Sequence, residues 1–351
     1  MTDRPVIIKL GGDALASPQR IVAQARRLAR RAADGPVLAV ASARRGVTDH
    51  LLGLAQEVAS AAARGTGPAT TFRDGGRRAT RAEGDRAVAA GEVVSASLLA
   101  LALNELGVPA VSLDAREAGV VSRGEFGDAR IRQVVPRRLE RLLGRGIVPV
   151  VTGFQGWQRG RVATLGRGGT DTSAVALTLA LGGQRTIFVK EAHGLRTADP
   201  KLVPEAYCIP EAPHAFLSAL TAAGARVVQA EAAALAEEHG VPLEFWSLEG
   251  DAADSVVAEG ADPTGLRAVA TLSDDRSASV TVVTGSALEL VHEADKLHAA
   301  LAAIGVTPGE TRTATHGLRF VVPAARVVEA TRALHTAFVS CRPDHGSRRA
   351  S

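Results

Sequence analysis

Four short runs in this chain are apolar almost throughout: VIIKL at 6–10, PVLAVA at 36–41, IVPVVT at 147–152 and TIFVK at 186–190. A strand with one face in water alternates apolar and polar residues, whereas a strand apolar at nearly every position must be covered on both faces. The intervening segments carry helix signals. Ser17 and Pro18 form an N-cap and first-turn pair for a helix through about Ala33 that Gly35 stops. A second helix is predicted over GEVVSASLLALALNELG at 91–107, before the strand VPAVSL, and a third between Pro136 and Gly146. Two further helical stretches and the strand PLEFW follow TIFVK. This β-α-β alternation predicts an α/β fold whose mainly parallel sheet is covered by helices on both faces.

Periodicity breaks in LEGDAADSVVAEGADPTG, 248–265, where acids, glycines and a proline mark a boundary. The prediction is a larger domain over residues 1–250 and a small α+β domain over 264–340. Within the latter, SASVTVVTG and GLRFVVP read as strands, and HEADKLHAALAAIG and AARVVEATRALHTAF as helices. The tail 341–351 is expected to be disordered. A chain of 351 residues with 46% hydrophobic content is large enough for two such cores.

Charge argues against nucleic acid as a partner. The isoelectric point near 9.6 accompanies a net charge of only +4, with acids interspersed along the chain. The densest arginine segment, 64–86, contains one aromatic, Phe72, and no stacking series for bases, so it reads as a solvated loop or a flexible helical hairpin. High Ala, Arg and Gly with little Lys also fits the codon bias of a GC-rich genome. No uninterrupted apolar run approaches the ~20 residues that span a bilayer, and MTDRPVIIKL enters a strand without a signal-peptide core. A cytoplasmic protein with no membrane partner is expected. Cys208 and Cys341 are too few for a disulfide framework or a zinc site.

Chemistry concentrates in GFQGWQRGRVATLGRGGTDTSAVALTLAL, 153–181, where a glycine-rich loop runs into the start of an apolar helix. Arg167, Gly168, Gly169, Thr170 and Asp171 stand where backbone N–H groups converge and a helix dipole points outward, which suits an anionic small molecule. With KLGGDALAS at 9–17, SARRGVTDHLLGLA at 42–55 and GLRTADPKLVPEA at 194–206, this stretch resembles the aspartokinases of the amino acid kinase superfamily. The four blocks keep the family's order and spacing over nearly 250 residues. The C-terminal element order resembles, more weakly, the ACT ligand-binding module that aspartokinases carry, an order shared by many ferredoxin-like units.

The resemblance implies an amino acid kinase fold and transfer of the γ-phosphoryl group of ATP to the β-carboxylate of L-aspartate, with Mg2+ bridging the phosphates and no metal ligands among the assigned residues. Lys9, Gly11 and Gly12 would form the phosphate cradle, Lys9 stabilising charge on the transferring group; alone, KLGG would be a strand-ending turn with a surface lysine and no core role. Arg167 and Glu92, with Gly91 before it, would hold the acceptor's carboxylate and ammonium. A guanidinium pairs bidentately with a carboxylate, and a buried Glu needs a cation, although Glu92 would equally suit an exposed helix start. Ser42, Thr48, Thr170 and Asp171 would complete the pocket, with Asp171 orienting Lys9 or the ammonium. Thr48 and Thr170 also suit N-caps. Two such modules pairing across a two-fold axis would make a homodimer.

Three departures bear on this. The nucleotide segment KEAHGLRTADPK replaces the family's Thr-Asp-x-Asp-Gly-Val-Tyr-Thr-x-Asp-Pro-Arg, placing Lys190, Glu191, His193, Arg196 and Lys201 at its variable points, while Arg226 stands where Lys is usual. Lys201 and Arg226 keep positive charge for phosphates, and the resemblance assigns Lys190, Glu191 and Arg196 with them to the nucleotide; His193 reads as a surface turn residue. Arg44 and Arg45 replace small or apolar residues, and either face solvent or receive a second carboxylate or a phosphate. The chain also stops where one ACT-like module is complete, and the Pro-Gly corner is replaced by TGSALELV, so feedback by lysine or threonine is not expected. Rival readings are a kinase for another amino acid or carboxylate, and a weakly active ligand-binding regulator.

Overall fold

The computed structural model describes residues 4–64, 75–166, 168–191, 193–273, 277–285, 287–314 and 316–339. Arg167, Phe72, Cys341 and the tail 341–351 lie outside them. The chain divides into two compact units, Met1–Ala192 with Glu238–Ala253, and His193–Glu237 with Asp254–Ser351.

The first unit runs β1 (Val6–Leu10), α1 (Pro18–Asp34), β2 (Val37–Ala41), α2 (Val47–Arg64), α3 (Gly75–Glu105), β3 (Ala110–Leu113), β4 (Val120–Glu125), β5 (Asp128–Val134), α4 (Arg137–Leu143), β6 (Val148–Thr152), β7 (Gln155–Gln158), β8 (Arg161–Thr164), α5 (Gly169–Ala180) and β9 (Arg185–Lys190). After β10 (Leu195–Arg196), β11 (Cys208–Ile209), β12 (Glu211–Ala212), α6 (His214–Ala222) and α7 (Ala230–His239), the chain returns to it with β13 (Leu243–Ser247). The strands pair in the order β13-β9-β1-β2-β6-β3, every pair parallel.

Alternation along β1 decides which layer each side chain meets. Val6, Ile8 and Leu10 join Ile21, Ala25 and Leu28 of α1 and Ala96, Leu99 and Leu103 of α3 in one core. Ile7, with Leu38, Val40 and Val151, faces the other way onto Ala174 and Leu177 of α5 and Leu139 of α4. Both faces are covered, as continuous apolar strands require. Each large aliphatic side chain so buried contributes roughly 1.5–3 kcal/mol relative to exposure. Ser17 caps α1, its hydroxyl accepting from the Arg20 N–H at 3.2 Å, and buried Arg27 ties that helix to the carbonyls of Ser247, Leu248 and Gly250.

Two features depart from the sequence reading. The half of the arginine segment from residue 75 onward is the first part of the 31-residue α3 rather than a loop. Its Asp85 is buried and accepts from the N–H groups of Gly127 and Thr164 at 2.9 and 2.7 Å and from the Thr164 hydroxyl at 3.0 Å. Burial raises the Asp85 pKa, and these hydrogen bonds oppose the rise. A second sheet, β5-β4-β7-β8, is mostly antiparallel and packs on α3 and α5. Its β7–β8 turn places Arg159 and Gly160 at φ +50° and +78°, as a two-residue hairpin turn demands. By length and mean hydropathy Thr80–Glu105 would also suffice to cross a membrane, and it packs against α1, β3, β6 and β8.

In the second unit, β14 (Ser255–Val257) pairs with β12. Then follow β15 (Arg267–Ser273), β16 (Ser277–Thr284), α8 (Ala287–Ala303), β17 (Glu310–Ala314), β18 (Gly317–Pro323), a single 3-10 turn and α9 (Val327–Phe338). The order β15-β16-β18-β17 is antiparallel throughout. Strand β18 sits between β16 and β17, the two strands joined by α8, which makes a split β-α-β unit, and β15 adds an edge strand from before it. Val280, Val282, Leu318, Phe320, Leu297, Leu334 and Phe338 form its core.

Candidate active site

Lys9 is the penultimate residue of β1 and shares the Ile7 face, so its side chain points toward α5. Its Nζ meets Asp171 Oδ1, in the first turn of α5, at 2.8 Å, with both side chains about nine-tenths buried. A surface lysine at a strand-ending turn is thereby excluded. Lys190 ends β9, two residues beyond Phe188, which registers opposite Lys9, so the two lysines share a face. Burial drives the Lys190 pKa down to about 8, with Asp171 opposing that fall and Lys9 adding to it.

The glycines set the closeness of this arrangement. A Cβ on Gly12 would stand 2.9 Å from the Ala43 carbonyl oxygen and 3.1 Å from the Arg45 nitrogen, and one on Gly11 3.6 Å from Lys9 Nζ. Residues 42–45 are laced to this turn, the Ser42 N–H donating to Leu10 O at 3.1 Å and that of Arg45 to Gly12 O at 3.2 Å. On the other side, the Ala43 N–H donates to Glu92 Oε1 at 3.1 Å. Gly91 permits that approach, since a Cβ there would lie 2.9 Å from Ala43 Cβ.

Glu92 sits in the interior of α3, which rules out an exposed helix start. It is 2% exposed, and its Oε2 has no hydrogen-bond partner among the described residues. Burial raises its pKa to about 7, against the lowering effect of the Ala43 N–H. A carboxylate so placed is suited to receive a cation.

Thr170 and Thr48 are each the second residue of their helices, and α5 is capped instead by Gly168 at φ +80°. Neither threonine is therefore an N-cap. Thr170 is buried and packs on Gly153, where a Cβ would come within 2.2 Å of Thr170 Cγ2. Ser42 and Thr48 are half-buried.

Other candidates lie outside this cluster. Glu191 is half-exposed, 4.0 Å from both Arg20 and Arg45, and Arg45 also pairs with Asp13 at 3.1 Å. Arg196, Lys201 and Arg226 belong to the second unit. There, the Arg196 guanidinium donates to Ala206 O at 2.9 Å, the Lys201 N–H donates to Asp199, and Arg226 is exposed. His193, exposed beside Asp254 at 3.7 Å, behaves as the surface turn residue expected. Among the described residues no group of three or more His, Cys, Asp or Glu side chains is placed to hold a metal ion.

The cluster thus gathers two lysines, an aspartate and a glycine turn at the carboxyl ends of parallel strands, where open α/β sheets bind ligands. Residues 4–246 match the amino acid kinase family. The chain belongs to that family. Within it, the chain is 35% identical over 244 residues to an aspartokinase of Thermus thermophilus, covering 69% of this chain and 56% of that one. The chain therefore spans little more than half the length of that relative. The structure resembles the aspartate kinase of Synechocystis (TM-score 0.61, 25% identity, 95% of this chain and 69% of that one). It shares its fold with E. coli aspartokinase III solved with aspartate and ADP (TM-score 0.66, 23% identity, 92% and 79% covered). In this amino acid kinase, Asp85 and the Lys190–Asp171 proximity escaped the sequence reading. A run such as RAEGDR looks solvated, and β9–β1 register is needed to place Lys190.

Proposed function

We propose that the chain transfers the γ-phosphoryl group of ATP to the β-carboxylate of L-aspartate, giving 4-phospho-L-aspartate and ADP. The observation that carries this is the buried Lys9–Asp171 pair beside Gly11 and Lys190. An acceptor carboxylate is already ionised at neutral pH, so an oxygen lone pair attacks the γ-phosphorus while the bond to the β–γ bridging oxygen breaks, and no general base is required. Asp171, engaged by Lys9, is suited to aiming that ammonium rather than to taking a proton. Lys9 and Lys190 then supply fixed positive charge where negative charge gathers on the transferring group and the leaving diphosphate.

Glu92 is assigned the acceptor's ammonium through its unpartnered Oε2. Arg167, outside the described residues, is assigned the α-carboxylate; Ser42, Thr48 and Thr170 complete the pocket. Glu191, Arg196, Lys201 and Arg226 are assigned to the nucleotide. Magnesium would enter with ATP, held chiefly by its phosphate oxygens. We further assign residues 1–250 to catalysis and 264–340 to an ACT-like regulatory or dimerisation module in a cytoplasmic enzyme. Similarity to aspartokinases, one of them solved with aspartate and ADP, supports aspartate and a nucleotide as ligands.

A coupled assay of ADP release over a panel of amino acids tests the reading. Release that depends on aspartate, with hydroxylamine trapping an acyl phosphate, is expected. ADP release indifferent to every amino acid would overturn it.

A further inference from the structure

The second unit contains a cleft of about 640 Å3 between α6 and the sheet face opposite the α8–α9 layer. That volume falls within the range of small-molecule sites. On β16 the side chains of Val280 and Val282 enter the core, so Thr281 and Val283 turn the other way and line the cleft. Register pairs Thr281 with Arg319 and Arg319 with Arg312, forming one row across three strands. Directly opposed like charges on a sheet are unfavourable unless something anionic offsets them. Arg312 is offset by Glu310 at 2.6 Å. Arg319, half-buried, has no carboxylate partner among the described residues.

Polar groups around this row are also unmet. Thr281 is 5% exposed, and its hydroxyl oxygen, the Ser218 hydroxyl oxygen and His316 Nδ1 are all buried without hydrogen-bond partners among the described residues. Each such orphan is costly, and a bound polar ligand removes that cost. The opposite wall is different in kind: Ala215, Ala219 and Ala222 of α6 present methyl groups, and exposed Glu237 of α7 also lines the cleft.

We propose that this cleft binds a small organic carboxylate with an apolar body, the carboxylate on Arg319 and the body along the α6 alanines. A guanidinium fork matches a carboxylate, and the neighbouring hydroxyls and imidazole complete its hydrogen bonds. None of the residues of the phosphoryl-transfer cluster lines this cleft.

Hexanoate serves as the probe in titration calorimetry on the full chain, with hexanol, hexylamine and inorganic phosphate as comparators. Saturable hexanoate binding exceeding that of all three is expected. Arg319→Gln should weaken it at least tenfold, and Ala219→Trp should abolish it while the chain still unfolds cooperatively. Thr281→Val should weaken hexanoate yet raise the unfolding midpoint of the unliganded chain, because it removes an orphan hydroxyl. Glu92→Gln should leave hexanoate binding unchanged, which separates this cleft from the acceptor pocket. No saturable hexanoate binding, equal binding of hexylamine, or indifference to both Arg319→Gln and Ala219→Trp would overturn the proposal.

Discussion

The Lys9 ammonium and the Asp171 carboxylate meet at 2.8 Å across the gap between the end of β1 and the first turn of α5, both nearly removed from solvent. Taken alone, the strand-ending KLGG turn gave Lys9 no core role. Burial reverses that expectation. Removing one member of a buried pair strands the other charge, at a cost of about 3–5 kcal/mol. Lys9→Ala should therefore lower the unfolding midpoint and reduce kcat on the order of 10²-fold or more. The double variant Lys9→Met/Asp171→Leu should recover much of the stability and none of the activity. Full activity in either variant would remove the pair from the mechanism.

Glu92 gives a prediction with opposite signs for stability and binding. Its pKa is about 7 in the fold against an ordinary 4.5, so between those values the native state holds a proton that the unfolded chain has lost. Stability from this group is greatest below the lower value and declines as pH rises through 7. Glu92→Gln should accordingly stabilise the unliganded chain above pH 7, by up to roughly 3 kcal/mol. The same change should raise KM for the acceptor amino acid more than for ATP. Thermal melts across pH 5–9 together with the two KM values check both arms. A variant that melts lower at pH 8 would show that the carboxylate is already compensated.

Lys190 supplies a pH dependence in the nucleotide half. With its pKa lowered to about 8 by burial, its charge is present at pH 7 and lost as pH rises past 8. KM for ATP should rise several-fold between pH 7 and 9. Lys190→Met should bind ATP more weakly at pH 7 and lose that dependence. A KM profile identical in the two proteins would place Lys190 away from the phosphates.

The parallel sheet was legible because VIIKL, PVLAVA, IVPVVT and TIFVK admit no exposed face. The antiparallel β4–β5 and β7–β8 hairpins were not, because segments such as RGEFGDARIRQV carry too many charges to show period-two burial. Lys9, Gly11, Gly12 and Asp171 could be named from the family resemblance of their motifs. For Asp171 the resemblance offered two partners, Lys9 or the ammonium; the choice of Lys9 was not legible, since it depends on Lys9 sharing the Ile7 face of β1 with α5. Glu92 was ambiguous for a similar reason: the length of α3, which places it mid-helix, is set by residues 75–90, and their sequence resembles a loop.

Gly153 tests how tightly Thr170 is positioned. An added methyl would stand 2.2 Å from Thr170 Cγ2, far inside contact distance. Gly153→Ala should destabilise the chain by about 1–3 kcal/mol and displace the start of α5, lowering kcat through Asp171. Adding Thr170→Ser, which removes the clashing methyl, should recover part of both losses. If Gly153→Ala alone is neutral in melts and turnover, the start of α5 can shift without consequence and Thr170 is not a precise contact.

Arg45 is the last case, because the sequence left open whether the Arg44–Arg45 pair recruits a more anionic acceptor than aspartate. The structure gives Arg45 other partners, Asp13 at 3.1 Å and Glu191 at 4.0 Å, and leaves it two-thirds exposed. Exposed pairs of this kind contribute only about 0–1 kcal/mol. Arg45→Ala should therefore leave the unfolding midpoint nearly unchanged and the ranking of acceptor amino acids intact at moderate salt. Arg44 differs, being half-buried with an Nε that has no hydrogen-bond partner among the described residues. Steady-state kinetics of both variants over aspartate and acceptors bearing an additional carboxylate or phosphate separate the two residues. A selective loss of the more anionic acceptors in Arg45→Ala would show that Asp13 releases this arginine to the substrate.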